Sequence, residues 1–202
     1  MYIEAGPRKD ASASSTIANT FLDEFKQVHP VSEINVLNLY ETEIPEFTGN
    51  TIDAKYQILH GLPHSAEQKE AWCKVEACIN EFKMADLYVF SVPMWNFGVP
   101  YRLKHYLDVI VQPGYTFMYT PGEGYKGLVN EKPAILICSR GGAYGPDSEV
   151  DFQKSYMEHI LKFIGFTDIR TILVEPTAVG PDQKDEVMNQ ARAKALSMAK
   201  DF

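Results

Sequence analysis

Two runs of the chain, residues 87–92 and 134–139, are apolar at nearly every position. A strand that is apolar on both faces must be covered on both, which asks for a layer above and a layer below it. The intervening segments can supply those layers. Residues 12–25 place Ile17, Phe21, Leu22 and Phe25 on one helical face, and residues 66–85 place Trp72, Val75, Ile79 and Phe82 at the same spacing. Residues 152–164, closed by Gly165, and residues 184–202 read as two more helices. Pro100 can open another helix and Pro113-Gly114 can stop it.

Shorter strand-like runs lie at residues 2–5, 33–39 and 168–174. Strands alternating with helices imply right-handed βαβ crossovers and a parallel sheet. The expectation is an α/β fold: a doubly wound, five-stranded, flavodoxin-like parallel sheet with helices on both faces. Two excursions stand outside that plan. Residues 45–63 read as a surface segment with a helical stretch near 54–59, and residues 115–129 as a β-hairpin with Gly122 and Gly124 near its tip. At 202 residues the chain fits one domain, residues 1–202, somewhat larger than the usual size.

Composition excludes several function classes. A 45% hydrophobic chain is not disordered. A net charge of −8 argues against nucleic acid as the main partner, because phosphate backbones need clustered positive charge. The three cysteines, Cys73, Cys78 and Cys138, form no C-x-x-C unit, so neither a disulfide framework nor a zinc ribbon is expected. Nothing at the amino end reads as a targeting segment, and no apolar stretch approaches the roughly 20 residues that span a bilayer. The expected compartment is the cytosol, with no membrane partner.

In an open parallel sheet, ligands bind beyond the carboxyl ends of the strands, near the reversal of strand order. Three loops leave such ends, and all three are unusual. The first runs Gly6-Pro7-Arg8-Lys9-Asp10-Ala11-Ser12-Ala13-Ser14 into a helix, offering hydroxyls, amides and two cations to a phosphate. Helix capping by Ser12 or Ser14 is the plainer alternative. The second, Pro93-Met94-Trp95-Asn96-Phe97-Gly98-Val99-Pro100, offers an aromatic wall to a planar ligand, unless Trp95 and Phe97 are buried under the following helix. The third is Ser139-Arg140-Gly141-Gly142-Ala143-Tyr144-Gly145. Its adjacent glycines permit positive φ and close backbone approach, or form a simple turn.

Other chemistries find no support. The first loop is neither a Walker A loop nor G-x-G-x-x-G. The five histidines are dispersed and no metal site is expected; Cys138 reads as an inert core thiol, and no G-x-S-x-G elbow occurs. The lack of a side-chain catalyst suits chemistry carried by a cofactor.

At these loops the chain resembles the FMN-dependent NADH-azoreductases, also described as NADH:quinone oxidoreductases. Residues 93–100 match that family's P-M-(W/Y)-N-F-x-x-P, and Ser139 to Gly142 with Tyr144 match S-R-G-G-x-Y. Leu103-Lys104, Asp108, residues 113–117 with Tyr119, and residues 163–168 continue the likeness over nearly the whole chain. The resemblance implies that FMN is the bound cofactor, with its phosphate at Gly6, Ser12, Ala13 and Ser14. It implies that Met94, Trp95, Asn96 and Phe97 flank the ring, and that Ser139, Arg140, Gly141 and Gly142 meet its polar edge through backbone groups. Tyr119 and Phe163 fall on the substrate side. It further implies a homodimer that passes two electrons from NADH or NADPH to quinones or azo compounds in a ping-pong order. The flavin carries the chemistry and no side chain is a catalyst. A flavodoxin-type carrier without turnover of its own is the alternative, and a degenerate homologue with a binding or regulatory role is a third reading. Two departures stand out: Gly6 replaces the serine of the family's S-P-R, and the first strand is short.

Overall fold

The computed structural model describes residues 1–145 and 148–202, with Asp10 described by its backbone alone. Five parallel strands form the sheet: β1 (Tyr2–Glu4), β2 (Val36–Asn38), β3 (Tyr88–Pro93), β6 (Ala134–Ser139) and β7 (Ile169–Val174). A separate antiparallel pair, β4 (Phe117–Thr120) and β5 (Gly124–Gly127), is the expected hairpin. The order β2-β1-β3-β6-β7 reverses direction between β1 and β3. The fold class is therefore flavodoxin-like, as expected.

Period-two alternation divides the core between the two faces. Along β6, Ile135 and Ile137 face one cluster while Ala134, Leu136 and Cys138 face the other. The first cluster holds α1 (Ala13–Val28) and α6 (Pro181–Ala199) against the sheet; Ile17, Ala18, Phe21 and Leu22 meet Met188, Ala191, Ala195 and Ala199. Three alanines at four-residue spacing leave no bulk between these helices, so they run side by side. The second cluster holds α3 (Ala66–Met84), α4 (Tyr101–Ile110) and α5 (Lys154–Ile164), with α2 (Gly49–Leu59) outside α3. Trp72, Val75, Ile79 and Phe82 are all buried there, as their spacing predicts.

Three boundaries differ from the sequence reading for physical reasons. α2 begins at Gly49 because the Thr48 hydroxyl accepts from the Thr51 amide, 3.4 Å away. α6 begins at Pro181, which needs no amide donor at a helix start. β2 is shorter than residues 33–39 because its only partner, β1, begins at Tyr2. The residues ahead of Val36 instead border a cavity of about 380 Å³, beside Met1, Phe25, Met84 and Leu87. There the Met1 amino group donates to the Leu87 carbonyl at 2.7 Å, and burial lowers its pKa.

The hairpin docks on the C-terminal end of α5. Gly165 closes that helix at φ 119°, and a Cβ on Gly127 would lie 2.2 Å from the Gly165 nitrogen. Only glycine allows this contact. Val129 N–H donates to the Ile164 carbonyl at 2.8 Å and completes the seat.

Candidate functional site

Four strand exits converge on one cavity of about 220 Å³ at the carboxyl edge of the sheet. The first follows β1 through a 3-10 turn (Lys9–Ala11) into α1. Gly6 packs under the second exit, since a Cβ there would sit 3.3 Å from Pro93 Cγ and 3.6 Å from Ser12 Oγ. Neither serine hydroxyl caps the helix. Ser12 has extended backbone with no side-chain cap, and its Oγ lies 3.1 Å from Ser14 Oγ. The opening turn of α1 therefore keeps its dipole and amides turned toward the cavity. Ser14 is fully buried behind Ser12 and does not line the cavity.

The second exit is a tight reverse turn. Trp95 and Gly98 exchange both backbone bonds at 3.0 Å, while Asn96 and Phe97 take φ of 47° and 68°. A non-glycine residue at such φ costs roughly 1–2 kcal/mol. The strain is held from two sides: Met94 N–H donates to the Ser139 carbonyl at 2.8 Å, and Phe152 N–H to the Phe97 carbonyl at 3.0 Å. Its product is a displayed aromatic edge, with Trp95 38% and Phe97 52% exposed. Burial under α4 thus does not account for them. Met94 and Trp95 line the cavity, Trp95 also meets the rings of Tyr40 and Tyr101, and Asn96 and Phe97 continue the turn outside it.

The third exit corrects one expectation. Gly141 and Gly142 do not adopt positive φ, so what they provide is the missing side chain alone. The Arg140 guanidinium turns inward, its side chain 1% exposed. Nε donates to Gln153 Oε1 at 2.9 Å, Nη2 pairs with Asp151 at 2.7 Å and Nη1 with Glu175 at 3.3 Å. Its amide donates to the Val174 carbonyl and its carbonyl accepts from Thr177. Arg140 braces the loop, and the amides of Gly141 and Gly142, like those of Ala143 and Gly145, donate to no protein group among the described residues. Ser139, Arg140 and Gly141 line the cavity.

The fourth exit, after β7, was missed by sequence reasoning. Thr177 and Lys184 line the cavity wall, Thr177 donating through Oγ1 to the Arg140 carbonyl at 2.8 Å. The rule that ligands meet carboxyl strand ends applies equally to this loop, but its composition is ordinary. The lining includes three cationic residues, Arg8, Lys184 and the inward-turned Arg140, and among the described residues no carboxylate. Lys9 turns away to pair with Glu41. Cations, helix amides and hydroxyls, with no acid among the described lining residues, make a receptor for an anion.

Tyr119 and Phe163 are not brought to this cavity. Tyr119, on β4, is 59% exposed; Phe163 packs on Phe117 at 4.7 Å and Tyr125 at 5.6 Å between ring centres. Because α5 runs back along the strands, this cluster lies at the amino edge of the sheet, opposite the cavity. Burial pushes the Cys138 thiol up to about 12, and among the described residues no group of three metal-ligating side chains occurs. Nor, among them, is any helix long and apolar enough to cross a membrane.

Residues 1–198 match the family described as the flavodoxin-like fold. A relative from Desulfotalea psychrophila, named FMN-dependent NADH:quinone oxidoreductase, is 43% identical over 204 aligned residues, covering 100% of this chain and 96% of its own. The crystal structure of an azoreductase from Bacillus anthracis superposes with a TM-score of 0.91 at 30% identity, covering 100% and 98% of the two chains. An FMN-dependent NADH-azoreductase of the same species, solved in complex with FMN, gives 0.85 at 26% identity over 98% and 95%. Fold, identity and full-length coverage agree: the chain belongs to the flavodoxin-like family that includes the FMN-dependent NADH:quinone oxidoreductases and azoreductases.

Proposed function

We propose that the chain, as one domain over residues 1–202, is a cytosolic FMN enzyme that passes two electrons from NADH to quinones and aromatic azo compounds in a ping-pong order. The observation that carries this reading is the convergence of a cationic cavity, with no acid among its described lining residues, and an exposed aromatic turn. The residues present fit FMN at both ends. Gly6, Ser12 and Ala13 offer amides and a hydroxyl to the phosphate, with Ser14 holding Ser12 in place. Met94, Trp95, Asn96 and Phe97 form the wall beside the ring, and the free amides of Gly141 and Gly142 face its polar edge. Bound FMN supplies the two-electron chemistry.

The chain's own part is positional and electrostatic. Amides held rigidly by the Arg140 brace stabilise negative charge at the ring's edge without reorganising. An aromatic wall that reads few hydrogen bonds tolerates many flat acceptors, and the same wall serves donor and acceptor in turn. With Trp95 and Phe97 exposed, one side of this wall stands open to water. A second copy of the chain closes it, bringing Tyr119 and Phe163 from the opposite edge of its own sheet to the substrate side.

Purified protein is expected to be yellow, to bleach anaerobically with NADH, and to regain its colour when a quinone or azo dye is added. Light scattering should give twice the mass of one chain. Protein that binds no FMN overturns the reading. Protein that binds FMN but is not reduced by NADH is an electron carrier instead.

A further inference from the structure

We infer that Lys184, with Arg8, is the counter-charge that fixes the cofactor phosphate, taking over from the hydroxyl that Gly6 cannot provide. The inference rests on the FMN reading above and assigns a residue to it. α1 and α6 lie side by side and both start at the carboxyl edge of the sheet, so the opening turn of α6 abuts the opening turn of α1. Lys184 is in that opening segment and lines the same cavity as Ser12 and Ala13.

The local helix directs the ammonium there. Helical side chains lean back toward the N-terminus, so a residue one turn inside covers the helix start. The position one turn further on is Met188, buried in the α1–α6 interface, which places Lys184 on the α1 side. Asp182 and Asp185 are two and one residues away and therefore off this face; the positions three and four away are Pro181, Val187, Gly180 and Met188, none acidic. Neither Lys184 nor Arg8 is in an ion pair among the described residues, although Lys9 next door is. A phosphate monoester carries about −1.5 to −2 at neutral pH, which two such cations match.

Titrating apo-protein with FMN and with riboflavin, followed by flavin fluorescence, tests this without turnover. Lys184→Gln should weaken FMN about tenfold, leave riboflavin unchanged, and flatten the dependence of FMN affinity on salt. Lys184→Arg should restore FMN to within about twofold, since it keeps the charge. Unchanged FMN affinity in Lys184→Gln, or equal loss for both flavins, overturns the assignment while leaving the FMN reading intact. Wild-type protein that binds neither flavin overturns both. Arg8→Gln provides the second reading of the same clamp, and a loss confined to FMN is again required.

Discussion

A guanidinium withdrawn from water needs compensation, and Arg140 donates to Gln153 and Glu175 while its Nη2 is held by charge alone beside Asp151 at 2.7 Å. Replacing it with methionine leaves two nearly buried carboxylates facing each other without a cation. The expected loss is about 3 kcal/mol in urea unfolding. Arg140→Lys should recover little of it, because one ammonium cannot reach three partners in a plane. A loss below about 1 kcal/mol would show that the brace is dispensable. Thiol accessibility checks the same region: Ellman's reagent should label exposed Cys73 quickly in folded protein, leave buried Cys138 untouched, and reach all three cysteines in urea. At this scale the sequence was partly legible. Ser139, Gly141 and the aromatic turn could be read from local composition. The partners of Arg140 could not, being 11 to 35 residues further on, nor could Lys184, whose neighbours in sequence look like any solvated helix.

Elements were easier to read than residues because their signals are periodic. The helix at α3 and the strand at β6 follow from spacing alone, whereas β2 was overextended because a strand's length is set by its partner. The hairpin's fold was legible from its glycines, but its seat was not: Gly127 and Gly165 meet across 38 residues of sequence. Gly127→Ala should force the hairpin off α5. The expected result is about 1–3 kcal/mol lost, with faster proteolysis confined to residues near the Gly122 tip. If a second copy receives Tyr119, this variant also becomes monomeric in light scattering. Normal mass with the hairpin cleaved would separate the two roles.

For the whole molecule, high pH is the informative stress. Burial pushes Tyr2, Tyr156 and Cys138 up to about 12. Their unfolded values are lower, so between about pH 9 and pH 12 the unfolded chain has shed protons that the folded chain keeps. Stability is complete below that window and falls as pH rises through it; Cys138 alone accounts for about 2 kcal/mol between about pH 9 and pH 11. Urea melts along this range should show the decline, and Cys138→Ala should shift it to higher pH. The cavity beside Met1 has a practical consequence of its own. The Met1 amino group, already bonded to the Leu87 carbonyl, points into the space beside the backbone ahead of Val36, so residues attached before Met1 are expected to continue β1 along that cavity. Two or three β-branched residues should raise the melting temperature, and an affinity tag at this end becomes part of the sheet it was meant only to carry.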